Sequence, residues 1–120
     1  NLKIIGKKIL KRRKIWMANL SPTHGSEQAG FRPIVIVSGD LLNKYAPVLW
    51  VVPLTSKIKN YHGNLILEAN EGIGVLEKSE VMNLHLRSIA KDRLIDKIGV
   101  LNLIHLEKIR KGLNEIMMMD

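Results

Sequence analysis

Apolar runs of four to eight residues, each closed by Gly, Pro, Asn or Ser, fill most of the chain. Only near its end does the spacing lengthen to a helical period. Ile15-Trp16-Met17-Ala18-Asn19-Leu20 predicts a strand, stopped by Ser21-Pro22-Thr23-His24-Gly25. Ile34 to Ser38 and Val48 to Leu54 are rich in β-branched residues and predict two more strands; Asp40 to Tyr45 between them has room for one helical turn. Asn64 to Glu68 and Ser79 to Leu86 follow as strands, with Asn70-Glu71-Gly72-Ile73-Gly74 as the turn, and Arg93 to Val100 adds a last short strand. From Asn102, a candidate N-cap, Leu106, Ile109, Leu113, Ile116 and Met117 recur at steps that place them on one face of a helix. Gly112 inside that run weakens the helix by about 1 kcal/mol relative to alanine.

Five or six short strands with one terminal helix predict a mainly β domain, a small SH3-like barrel, because closure removes edges that many short strands would otherwise expose. Trp16 and Trp50 are expected in its core. At 120 residues the chain is the size of one domain. The apolar runs are far shorter than the roughly 20 residues a membrane helix needs. With no cysteine there is no disulfide frame or thiolate chemistry, and the amino-terminal segment lacks the apolar block of a secretory signal, so the expected location is cytoplasmic.

The formal charge of +8 suggests nucleic acid, but its distribution is uneven. Seven cations (Lys3, Lys7, Lys8, Lys11, Arg12, Arg13 and Lys14) precede the first anion, Glu27, which leaves 12 cations against 11 acids from residue 15 onward. Residues 1–14 are therefore read as a basic extension, either a tail or expression remnant or a phosphate-attracting arm, and residues 15–120 as the domain. His24, His62, His85 and His105 lack metal-ligand spacing, Gly72-Ile73-Gly74 lacks the setting of a dinucleotide fingerprint, and no phosphate-binding Gly-Lys-Ser/Thr loop occurs. No metal site and no cofactor is expected.

The chemistry gathers at two strand ends. Gly25-Ser26-Glu27-Gln28-Ala29-Gly30-Phe31-Arg32-Pro33 is a polar loop that carries one arginine to the start of an apolar run, and Pro53-Leu54-Thr55-Ser56-Lys57 ends another run in hydroxyls and a cation. Taken singly, Arg32 could pair with Glu27 as a structural arginine, and Thr55-Ser56 could satisfy backbone groups at a turn. With Ile15-Trp16-Met17-Ala18-Asn19-Leu20-Ser21-Pro22 ahead of them, and Leu86-Arg87-Ser88-Ile89, Lys91-Asp92-Arg93-Leu94 and Lys97-Ile98-Gly99 behind, the chain resembles the MazF/PemK toxins over residues 12 to 117.

That resemblance implies a homodimeric barrel of the MazF/CcdB type, silenced by a cognate antitoxin, that cuts single-stranded RNA at short sequences without a metal. It also implies that Arg32 and Thr55 are catalytic. The side chains suit that chemistry, because RNA supplies its own nucleophile in the 2′-hydroxyl, the arginine fork can bridge phosphate oxygens as charge builds, and threonine can donate a hydrogen bond. Arginine stays protonated near neutrality, so its expected role is transition-state stabilisation or proton donation, with Glu27 or His85 as proton acceptor. Ser26, Gln28, Ser56, Lys57 and Lys59 are the expected RNA contacts. Leu84-His85 ahead of Leu86-Arg87-Ser88, where relatives have Glu-Gln, departs from the family pattern, as does Lys14. The rival readings are a CcdB-like inhibitor of gyrase and a catalytically silent nucleic-acid-binding barrel.

Overall fold

Neighbouring side chains along a strand face opposite ways, and here both faces are apolar. The computed structural model describes residues 10–21, 30–70 and 73–118. In β1 (Lys14–Asn19), Ile15 joins one buried cluster while Trp16 and Ala18 join another. Strand β2 (Phe31–Ile36) divides Val35 from Ile34 and Ile36 in the same way. In β3 (Val48–Thr55), Val52 and Leu54 go to the first cluster and Leu49 and Val51 to the second. One sheet therefore carries a core on each face.

Its remaining strands are β4 (Ile66–Leu67), β5 (Ser79–Val81), β6 (Arg87–Ala90) and β7 (Leu94–Val100). The order is β4-β5-β3-β2-β1-β7, with β6 also paired to β3. β6 and β7 thus lie at opposite ends of the path β7-β1-β2-β3-β6, although a short 3-10 turn, Lys91–Arg93, joins them. That connection requires the sheet to curl until its ends approach, and Ile89 of β6 and Leu94 of β7 meet in the second cluster. The product is mainly β with a C-terminal helix, as expected, and its sheet takes the form of a curled half-barrel. A short helix, α1 (Asp40–Tyr45), bridges β2 and β3, and α2 (Leu103–Met118) sets Ile109 into the first cluster. Asn102 caps α2, its Oδ1 accepting the His105 N–H at 2.8 Å.

Three expectations change. The strand expected over 79–86 is split: β5 ends at Val81, and Asn83–His85 form a 3-10 turn before β6. The Pro53 carbonyl accepts the Met82 N–H at 2.9 Å, but proline has no N–H to return, so the ladder loses a bond where its partner strand breaks. Trp50 is 44% exposed rather than core, although it shares a face of β3 with Val52 and Leu54; Trp16 is buried as expected. Finally, Gly112 is a contact, not a defect in α2. A Cβ there would fall on the Gly63 carbonyl and the Asn83 amide, so only glycine lets the helix seat this deeply.

At the amino-terminal side, Lys14 opens β1, the Arg12 N–H donates to Asp40 Oδ1 (2.8 Å), and the Arg13 carbonyl accepts from Leu101 N–H (2.9 Å). Among the described residues no helix is long and apolar enough to cross a membrane.

Candidate active site

Three strand ends meet at one margin of the sheet. β1 finishes beside the start of β2 in the pairs Ala18↔Arg32 and Asn19↔Phe31. β2 begins at Phe31, ahead of the expected Ile34, so Arg32 lies inside the strand rather than on the loop before it. β2 and β3 pair through Ile34↔Pro53, and continuing that register two steps sets Arg32 opposite Thr55. On the other edge of β3, Thr55 pairs with Glu80 of β5.

The base of this margin is tied down. Leu20 N–H donates to the Gly30 carbonyl and Gly30 N–H to Ser21 Oγ, both at 2.9 Å, and Gly30 takes a φ of 76°. Arg93 Nη1 donates to the carbonyls of Asn19 (3.0 Å) and Ser21, and Arg87 Nη1 to that of Leu20 (3.3 Å). Arg87 therefore braces the backbone at this margin.

Arg32 and Thr55 line one cavity of about 580 Å³, together with Phe31, Ser56, Leu76 and Glu77. Thr55 is 7% exposed, and its Oγ1 accepts the Lys57 N–H at 3.1 Å. That acceptance shapes the turn after β3 and leaves the hydroxyl hydrogen to be donated. The wall carrying Leu76 and Glu77 is pressed onto β7: a Cβ on Gly74, whose φ is 83°, would strike the Ile98 carbonyl, and one on Gly99 would strike that of Ile73. Ser79 Oγ donates to the Glu77 carbonyl at 2.9 Å and steadies the same wall.

The other expected residues are distributed unevenly. Ser26, Glu27 and Gln28 lie outside the described residues. Lys57 and Lys59 are exposed on the loop that follows Thr55 and Ser56, outside the cavity lining. His85 is half-buried in the 3-10 turn, and it too is not among the lining residues.

Two lining residues, Phe31 and Glu77, were not singled out from the sequence. Phe31 is 69% exposed beside Arg32, and its place inside the quoted loop motif was the available signal. Glu77 is the one carboxylate among the described residues of the lining, and nothing in the pattern around it marked it. Glu80 was missed as well. It is wholly buried; burial alone would raise its carboxyl, but hydrogen bonds from the Asn64 amide and from the Asn60, Lys59 and Tyr61 N–H groups outweigh that and hold it below its ordinary value.

Arg32 and Thr55 thus share one cavity at the margin of a curled half-barrel. The family model for the PemK-like, MazF-like toxin of type II toxin-antitoxin systems matches residues 11–117, and the chain belongs to that family. It is 35% identical over 95 residues to a protein named Endoribonuclease MazF from Staphylococcus saprophyticus, covering 78% of this chain and 79% of that one. In fold it is similar to the crystal structure of MazF from Deinococcus radiodurans, with a TM-score of 0.82 at 24% identity, over 94% of this chain and all of that one. It is similar also to an endoribonuclease in complex with its cognate antitoxin from Mycobacterial species, with a TM-score of 0.75 at 18% identity, over 92% and 97% of the two chains.

Proposed function

We propose that this chain is a sequence-specific endoribonuclease that cuts single-stranded RNA by attack of the ribose 2′-hydroxyl on its own phosphate, and that it is the toxin of a toxin-antitoxin module. The observation that carries the reading is the shared cavity of Arg32 and Thr55 in a member of this toxin family. The guanidinium holds the non-bridging phosphate oxygens and gains grip as negative charge builds on phosphorus. Thr55 Oγ donates a hydrogen bond to the same developing charge. Glu27 and Glu77 are the carboxylates suited to accept the 2′-hydroxyl proton; of these, Glu77 belongs to the described lining, which His85 does not. Phe31 offers an exposed ring for a base next to the cut, and Ser26, Gln28, Ser56, Lys57 and Lys59 supply polar and phosphate contacts.

No step in this route needs a Lewis acid, because the nucleophile comes with the substrate. The toxin acts in the cytoplasm, as a homodimer. Its partner is an antitoxin, as the complex of an endoribonuclease of similar fold with its cognate antitoxin supports, and that antitoxin lays an acidic or apolar segment over the same cavity. The arginine and threonine favour cleavage over a gyrase-directed, non-enzymatic role.

The test is cleavage of a mixed RNA pool with both ends of each product sequenced. A 2′,3′-cyclic phosphate and a 5′-hydroxyl, an unchanged rate in chelator, and survival of a substrate with 2′-deoxyribose at the cut position are expected. Cleavage of that deoxy-substituted strand would overturn the mechanism.

A further inference from the structure

The loop that follows Thr55 is fastened to one buried carboxylate. Glu80 is 0% exposed, and its Oε1 accepts the N–H groups of Lys59 (2.6 Å) and Asn60 (2.8 Å). Its Oε2 accepts those of Tyr61 (2.9 Å) and of the Asn64 side-chain amide (2.8 Å). Three successive backbone donors converge on one anion because Asn60 adopts a left-handed φ of 57°, which turns its N–H and its neighbours' inward. Arrangements of this kind usually receive a ligand's phosphate or carboxylate; here the anion is part of the chain.

The same residue pairs with Thr55 across the β3–β5 ladder. Glu80 thus meets the loop at both ends, at the strand residue where it starts and at the turn where it comes back. Ser56, Lys57 and Ile58 lie between those fixed points, and they and Lys59 are exposed. Asn64 continues the tie inward, its Oδ1 accepting the Asn83 N–H at 3.2 Å. An exposed loop of this kind would otherwise sample many shapes, and each would carry the two ammonium groups elsewhere.

We propose that Glu80 is a positioning residue for RNA binding: by clasping residues 59–61 it holds Lys57 and Lys59 in the arrangement that grips the substrate backbone. This rests on the ribonuclease reading above, and it adds a residue that touches neither RNA nor the reacting atoms. Its contribution is to binding, because a preset loop loses less ordering entropy when the strand arrives.

The experiment compares wild type, Glu80→Gln, Lys57→Ala/Lys59→Ala, and the triple variant on one RNA oligonucleotide that the wild type cleaves. Glu80→Gln keeps the shape but points an amide donor at a ring of donors, so the clasp opens. A rise in KM of about tenfold with kcat within about twofold is expected, since backbone contacts act in ground and transition states alike. In the background lacking both lysines, Glu80→Gln should add little, because contacts that act through one another are not additive. An undiminished loss in that background, or a fall in kcat alone, would overturn the proposal.

Hydrogen exchange of the wild-type protein supplies a reading that depends neither on the variant's folding nor on activity. The Lys59, Asn60 and Tyr61 amides should be protected despite their surface position, and free-peptide exchange there would refute the clasp. Should the wild type cut no RNA at all, the ribonuclease reading fails, and the exchange experiment still decides whether the carboxylate holds the loop.

Discussion

Replacing Gly112 by alanine should destabilise the protein, the opposite of what helix propensity alone requires. In the interior of a helix the exchange is worth about 1 kcal/mol in alanine's favour. Here the added methyl would overlap the Gly63 carbonyl and the Asn83 amide, one a backbone atom and the other held by its own hydrogen bond to that carbonyl at 3.1 Å. Neither can swing aside as the end of a flexible side chain would. Forcing a methyl into a packed contact costs about 1–3 kcal/mol, and a backbone clash belongs at the upper end. Set against the propensity gain, the net loss is about 2 kcal/mol, which for a domain of this size lowers Tm by about 8 °C. Thermal unfolding followed by circular dichroism, with urea titration for the free energy, gives the answer. An unchanged or higher Tm would show that α2 sits further from the 63 and 83 backbones than described, and would remove the close-approach argument.

Arg32→Ala should lower kcat/KM by about 10²–10³-fold, the usual cost of losing a donor to a developing oxyanion, measured on a defined RNA cut by the wild type. Activity within a few-fold of wild type would clear that side chain of the role. Thr55→Val keeps the volume but removes both the hydroxyl donor and the acceptor of the Lys57 N–H; a comparable rate loss with about 1 kcal/mol of destabilisation is expected from paired kinetics and urea titration. The Glu80 carboxyl is held below its ordinary value of 4.5, so the folded state binds its proton less readily than the unfolded chain. Its contribution is complete above that unfolded value and is lost as pH falls through the folded one, so wild type should lose more stability than Glu80→Gln between about pH 6 and 3. Parallel stability curves for the two proteins would contradict that linkage.

Much of the architecture was legible because both signals it rests on are local. Strand-length apolar runs punctuated by Gly and Pro gave β1, β2, β3 and β7 to within a few residues, and the three-and-four spacing from Leu106 gave α2. What stayed hidden depended on partners distant in sequence. The break at Met82 follows from Pro53 across the ladder, the exposure of Trp50 from the open groove between it and α2, and the need for glycine at 112 from Gly63 and Asn83. At the site, Arg32 and Thr55 could be singled out because each sits in a motif at a strand end. Glu77 and Glu80 could not, since the turn holding Glu77 and the strand holding Glu80 are ordinary in composition; the Gly74–Gly99 approach places the first and the β3–β5 register the second. The loop motif also carried Phe31 in plain view; only its exposure beside Arg32 distinguishes it from a core phenylalanine.

The two back-to-back clusters constrain how this protein can breathe. Consecutive residues of β1, β2 and β3 feed opposite cores, so unzipping a single rung would wet both at once. Opening through the sheet is therefore costly, because it exposes apolar side chains on both faces together. A sheet built this way gives the margin that carries Arg32 and Thr55 a floor packed from both sides.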